Sequence, residues 1–248
     1  MKVFIVSPGY KPKEYINPHI GSILSQINCD YVKIHHILAT DDDEYSVSIP
    51  SWYKRHYNVS VIEQTGKHGA LYSHINIMNR IASTLSPDKN DIIVHLDQDD
   101  WLFHPFSLST LINKYENPKI WATYGSYVSL SGERCICKPM TKPFNRIENG
   151  FNWQYSHLRT FRYGLWEHIR KDSLLDNNNI PFQMAGDVAI YSSILELCSI
   201  NNIKYIDLPL VVYNDLSPLN ENKLNLSLQQ SCMQSIIQKP PHEVLQQY

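Results

Sequence analysis

The chain has 248 residues, with 22 Lys and Arg against 24 Asp and Glu and a formal charge of −2 when His is neutral. Hydrophobic residues make up 43% and aromatics 11%, enough for a core, which excludes a disordered chain, and the lack of a basic excess argues against nucleic-acid binding. No run approaches the roughly 20 apolar residues of a membrane span, and the four apolar residues from Val3 are too few for a secretory leader, so a cytoplasmic protein with its five Cys reduced is expected.

Val3, Phe4, Ile5 and Val6 read as a buried strand that stops at Ser7-Pro8-Gly9. Asn17 followed by Pro18 predicts a helix start, with Ile20, Ile23, Leu24 and Ile27 on one face. Residues 31–39 predict a second strand running into Asp41-Asp42-Asp43-Glu44, and residues 59–62 a third. Leu71, Ile75, Met78, Ala82 and Leu85 step by four, three, four and three, which is one stripe of a helix. Tyr72, Asn76 and Asn79 fall together roughly 100° around it. A fourth strand, 92–96, enters Asp97-Gln98-Asp99-Asp100.

Strands alternating with helices predict a parallel α/β sheet, and such sheets bind ligands beyond the carboxyl ends of their strands. Three strand ends, carrying Ser7-Pro8-Gly9-Tyr10, Asp41-Asp42-Asp43 and Asp97-Gln98-Asp99-Asp100, then open onto one edge. After residue 105 the pattern changes. A strand passing over Gly125 is expected at 121–130, no periodicity is visible from 132 to 165, and a helix follows Asp187 through Val188, Tyr191, Ile194, Leu195 and Cys198. Short strands follow at 204–208 and 211–213, then an amphipathic closing helix over 224–237. The expected organisation is one domain in two halves, 1–105 and 106–223, with a helical tail at 224–248.

Three carboxylates within four residues at a strand end repel one another unless a cation intervenes, and a hard divalent ion that also takes phosphate oxygens resolves the conflict. In an extended segment Asp97 and Asp99 face one way and Asp100 the other, so Asp97 and Asp99 are the expected ligands of Mn²⁺ or Mg²⁺. The spacing lets one carboxylate hold the ion and its neighbour a sugar or ribose hydroxyl, with Asp97 and Gln98 counted among the donor-binding residues. An acidic turn capping the next helix is the plain alternative.

The buried strand, Asp97-Gln98-Asp99-Asp100-Trp101 and Leu102 resemble the strand and D-x-D-D-W signature of family 2-like glycosyltransferases. The segment Gly69 to Asn76 is similar to the helix that precedes the acidic motif there. Asp41-Asp42 stands where an acidic pair contacts the base. The segments 123–127 and 157–162, and Tyr213-Asn214 with Pro218-Leu219-Asn220, resemble later blocks of a bacterial and large-virus subset. The resemblance covers roughly residues 3–223. It implies the GT-A fold, a Rossmann-like mixed sheet flanked by helices, and sugar transfer from a nucleotide diphosphate to a hydroxyl acceptor such as a glycan, with inversion. The first half then binds the donor and the second carries catalysis and the acceptor. The chain departs from the pattern at Ile75, where an Arg is usual, at Gly186-Asp187 instead of Glu-Asp, and at Asp43-Glu44 instead of Gly-Ser.

By the same resemblance Asp187 is the catalytic base that takes the acceptor proton; a helix N-cap is the plain reading of the residue. Tyr10 is expected to stack on the nucleobase, with Ser7 and the Pro8 carbonyl at its edge. Asp41 or Asp42 accepting an imide proton favours UDP- or dTDP-sugars, and Asn76 belongs with the donor. His157, Arg159 and Arg162 are expected near phosphates or an anionic acceptor, against a structural role for each. Cys135 and Cys137 lack the second pair of a zinc site. A sugar nucleotidyltransferase, or a non-catalytic nucleotide- or sugar-binding module, would use the same sheet.

Overall fold

A computed structural model of the chain describes residues 1–41, 49–56, 58–133, 135, 137–150 and 152–247. Strand β1 (Lys2–Tyr10) pairs in parallel with β2 (Lys33–Asp41) on one side and β4 (Ile92–His95) on the other. β3 (Val59–Gln64) extends the parallel half beyond β2. Alternate residues of β1 enter different cores. Phe4 and Val6 pack with Leu71, Ile77, Met78 and Ile81 of α3, while Val3 and Ile5 pack with Ile23, Leu108, Leu111 and Ile112. These come from α1 (Ile16–Leu24), α3 (Ala70–Thr84) and α4 (Ser107–Tyr115); α2 (Ser51–His56) lies between β2 and β3 in the chain. Helices on both faces are why these strands read as unbroken apolar runs.

The second half adds β5 (Trp101–Leu102), β6 (Ala122–Ser129), β7 (Ser156–Arg162) and β8 (Ile203–Tyr213), giving one eight-stranded sheet in the order β3-β2-β1-β4-β7-β6-β8-β5. β7 runs antiparallel to both β4 and β6. Its reversed direction sets His95 beside Arg159 at one end of the pair and Ile92 beside Arg162 at the other. The start of β7 therefore flanks the carboxyl end of β4, where an α/β sheet binds its ligands. Helix α5 (Gly186–Leu197) is buried along nearly its whole length, and α6 (Leu226–Ile237) follows near the C-terminus. No helix among the described residues is long and apolar enough to cross a membrane.

Four sequence expectations need correction. Helix α1 begins at Ile16, behind a 3-10 turn at Lys13–Tyr15, so Asn17 and Pro18 lie inside its first turn, where a missing N–H leaves no intrahelical bond unmade. The buried face of α3 carries Leu71, His74, Ile77, Met78 and Ile81, while Ala82 is exposed. A stripe drawn through apolar residues alone is rotated away from this face because fully buried His74 stands in its middle. The segment without periodicity contains β7, and the two short strands after residue 203 are one, β8.

Candidate active site

The acidic segment after β4 is a turn. The Asp100 N–H donates to the Asp97 carbonyl at 3.0 Å, which folds Asp100 back toward Asp97 instead of leaving it on the opposite face of an extended chain. His157, on β7, completes the group. One ligand atom from each of Asp97, Asp100 and His157 lies within 4.8 Å of the others. Asp99, the expected partner of Asp97, is outside this group.

Each member is held by its surroundings. Asp100 Oδ1 accepts the Asn214 N–H at 2.8 Å, while its Oδ2 is buried without a hydrogen-bond partner, 3.6 Å from His157 Nε2. Ser156 Oγ lies 3.0 Å from His157 Nδ1, and Tyr213 and Tyr127 pack against the ring at 5.4 and 5.6 Å between centroids. Burial drives Asp100 well above the usual carboxylate range, helped by Asp99 and Asp97, and burial with the nearby Arg159 charge drives His157 well below the usual imidazole value. At Asp97 burial also opposes ionisation but is outweighed by His95, whose Nε2 is 3.2 Å away, with His157 and Arg159. Its carboxyl is thereby held below the usual range. Burial and Asp97 push Asp99 up to about 7. A buried carboxylate oxygen with nothing to bond, beside a second carboxylate and a neutral imidazole, fits a divalent cation with mixed oxygen and nitrogen ligands.

Beside His157 stands an ion pair. Arg159 Nη1 donates to Asp187 Oδ2 at 2.6 Å, and Nη2 donates to His157 Nε2 at 3.2 Å. The guanidinium is 3% exposed and the carboxylate 35%. Burial acts against the Arg159 charge, yet Asp187 and Asp97 raise its pKa above the ordinary arginine value. Asp187 is the second residue of α5. The cap is Ala185, at φ +56° and without a side-chain cap bond, so the N-cap alternative for Asp187 does not hold. Gly186 lets α5 start close to α3, because a Cβ there would stand 2.8 Å from Leu71 Cβ.

The donor-side expectations divide. Pro8, Tyr10, Asp41, Asp97 and Gln98 line a cleft of about 550 Å³ together with Asp99, His157, Arg159 and Asp187. Ser7 does not. Its hydroxyl is buried between His36 Nε2 at 2.9 Å and His19 Nε2 at 3.2 Å, which withdraws it from a bound base. Gln98 forms part of the wall, but its amide is engaged with the Ser7 and Ala39 carbonyls and the Thr40 hydroxyl, so it ties β1 to β2. Asp41 accepts from the His68 and Gly69 N–H groups at 2.6 and 2.7 Å, and from Gln64 and Ser73 on its other oxygen. Four donors use the acceptor capacity of a carboxylate, so Asp41 shapes the 65–69 loop instead of reading an imide. Gly69 meets it at φ +91°, with no room for a Cβ against the Gln183 carbonyl 2.6 Å away. Asn76 donates to Gln64 Oε1 at 2.9 Å, one step behind Asp41 and off the cleft wall. Asp42 lies outside the described residues. Lys67 Nζ sits 4.6 Å from the centre of the Tyr10 ring, so a base stacking on that face competes with an ammonium.

Arg162 is not in the site. It lies at the opposite end of β7, and its guanidinium donates to the carbonyls of Ile120, Asn90, Tyr115 and Asn117. With its donors so engaged it clamps the loops at the far end of the sheet and cannot serve as a phosphate or acceptor contact.

A parallel half-sheet, an antiparallel strand inserted beside β4 and an acidic turn at the carboxyl end of β4 define the GT-A fold. The solved structures agree with that assignment. Crystal structures of S. aureus TarS match at a TM-score of 0.65 and 14% identity over 88% of this chain. The complex of its residues 1–349 with UDP-GlcNAc matches at 0.62 and 14% over 87%. Mannosyltransferase PcManGT from Pyrobaculum calidifontis, in complex with GDP-Man and Mn²⁺, matches at 0.54 and 15% over 89% of this chain and 58% of its own. The chain spans 37% of the TarS chain and 59% of the shorter TarS fragment. No protein-family model and no curated protein matches it.

Proposed function

We propose that the chain is a metal-dependent glycosyltransferase that moves a sugar from a nucleotide diphosphate to a hydroxyl acceptor with inversion. The observation that carries this reading is the grouping of Asp97, Asp100 and His157 at the cleft, where Asp97 and His157 line the wall with the Arg159–Asp187 pair and Asp100 is buried behind them. Asp97, Asp100 and His157 would hold a divalent cation, Mn²⁺ or Mg²⁺, which when bound would neutralise charge on a departing diphosphate. Asp187 accepts the acceptor proton as the hydroxyl oxygen attacks, which contributes about 10²- to 10⁴-fold when the base is well placed. Arg159 fixes the direction in which that carboxylate points. His157 Nε2, which accepts from Arg159, uses for that bond the lone pair a cation would take, so metal binding leaves Arg159 to Asp187. Two of the similar solved structures hold UDP-GlcNAc and GDP-Man. A preference for UDP- or dTDP-sugars rests here on Asp42, since Asp41 is saturated.

Thermal denaturation with UDP, dTDP and GDP, each with and without Mn²⁺, tests the reading, because a ligand that binds only the folded state raises apparent stability. At least one nucleotide is expected to stabilise the chain markedly more with Mn²⁺ than without. Nucleotides that bind equally well without metal, or not at all, contradict it.

A further inference from the structure

Each member of the Asp97, Asp100 and His157 group has one atom tied by a neighbour. Asp100 Oδ1 accepts from the Asn214 N–H, and His157 Nδ1 lies against the Ser156 hydroxyl, which leaves Asp100 Oδ2 and His157 Nε2 3.6 Å apart. At Asp97 the tie is His95, whose Nε2 stands 3.2 Å from Oδ1. An ionised carboxylate can only accept, so the imidazole carries a proton on Nε2 and donates it to this bond.

Of the two, His95 is the fixed partner. It ends β4 between Val6 of β1 and Arg159 of β7. Beyond it the chain stays bonded to β1, through the Leu96 and Gln98 N–H groups on the Val6 and Pro8 carbonyls. That extended course puts His95 and Asp97, two residues apart, on one face. The His95 side chain is 5% exposed and that of Asp97 30%, so the buried ring orients the freer carboxylate. His74, on α3, packs against the His95 ring at 4.6 Å between centroids, and Trp166 packs against His74 at 5.6 Å. Neither nitrogen of His74 has a hydrogen-bond partner, so it backs His95 by ring packing alone. The residues before His95 in β4 are Ile92, Ile93 and Val94, all fully buried. What the imidazole adds to such a strand is its N–H toward Asp97.

We propose that His95 is a positioning residue, its Nε2–H holding the Asp97 carboxylate in the orientation in which it joins Asp100 and His157 as a ligand of a divalent cation. This assignment rests on the metal-dependent reading and names a residue that acts on the cation through Asp97.

The test titrates Mn²⁺ alone into the full chain and follows the EPR signal of the free ion. His95→Phe keeps a flat ring against His74 and removes the N–H. It is expected to raise the Mn²⁺ Kd about ten-fold, within the range for partners that orient a metal ligand. His95→Gln, whose amide nitrogen reaches the place of Nε2, is expected to recover most of that loss. Simple space-filling predicts the opposite order, because phenylalanine preserves the ring and glutamine does not. His95→Asn, with an amide too short to reach Asp97, should bind as weakly as the phenylalanine variant, and it keeps the comparison with glutamine open if the larger ring prevents folding. A wild-type Kd in the phenylalanine or asparagine variant, or a glutamine variant as weak as they are, overturns the proposal. A wild-type chain that binds no Mn²⁺ sinks the metal-dependent reading itself, and is seen before any variant is compared.

Discussion

The two halves of the sheet solve the same problem of a buried strand with different materials. β1, β2 and β4 bury apolar runs at 3–6, 37–39 and 92–94 alongside Ser7, His35, His36, Thr40, Asp41 and His95, and helices cover them on both faces. β7, at the centre of the same sheet, buries His157, Arg159, Thr160 and Arg162. Most of these polar groups find partners in other elements, although Arg159 Nε is buried without one and His157 is met by Ser156 and Arg159 of its own strand. Thr160 meets Tyr115 and Thr123, Arg162 meets four carbonyls, and Arg159 meets Asp187. The parallel half is a scaffold that exposes chemistry only at its strand ends. The antiparallel strand carries polar groups within its length, and that is what brings the His157 imidazole and the Arg159 guanidinium up to the acidic turn.

The sharpest way to break this comparison is to remove the carboxylate that β7 orients. Asp187→Asn is expected to lower the transfer rate about 10²- to 10⁴-fold while nucleotide affinity in Mn²⁺ is retained, as measured by steady-state kinetics and calorimetry on the same preparation. Near-normal turnover would remove Asp187 from the reaction.

A second experiment sets two residues of one strand against each other. Arg162→Met leaves several buried carbonyls without a donor and should lower stability by about 3 kcal/mol, read as a shift in the urea midpoint, with little effect on the folded enzyme's nucleotide binding. Arg159→Met should do the reverse, costing kcat far more than stability. Equal effects of the two on the same observable would show that the strand has no functional end.

The scaffold half has its own sensitive point, and the effect is the smallest of the three. Burial depresses the His19 pKa to about 4, against the opposing pull of the Asp100 carbonyl and Asp97, so the imidazole is neutral in the fold. Below its unfolded value of 6.5 the unfolded chain takes up a proton that the folded state refuses. The contribution to stability is therefore present above pH 6.5 and is lost as pH falls toward 4, up to about 3 kcal/mol for a shift of this size. His36, packed against it and also driven down by burial, adds to the slope. Thermal melts between pH 7 and 4 should fall steeply for the wild type and less steeply for His19→Gln.

The same contrast explains what could be read in the chain. The strands at Val3, Ile37 and Ile93 announce themselves because burial on both faces demands aliphatic residues in succession. The helix that starts at Gly186 was legible because Val188, Tyr191, Ile194 and Leu195 repeat at helical spacing. The sequence Ser-His-Leu-Arg-Thr-Phe-Arg of β7 has no such signature, since Arg159, Thr160 and Arg162 meet partners 28 to 72 residues away. The block attracted attention for its residue types, but its role as the strand beside β4 depends on pairing that no local pattern encodes. The grouping of Asp97 with Asp100 escapes a local reading for a related reason. Assuming an extended backbone pairs Asp97 with Asp99, and only the turn closed by the Asp100 N–H exchanges one partner for the other. The saturation of Asp41 and the withdrawal of Ser7 likewise follow from tertiary neighbours.

The measurement that bears most directly on the account is anomalous diffraction at the manganese edge from crystals soaked with MnCl₂ and UDP or GDP. A single strong peak within coordination distance of Asp97, Asp100 and His157, with the diphosphate completing its shell, is the expected result. A peak held by Asp99 without Asp100 and His157, or nucleotide lying away from this turn, would contradict it.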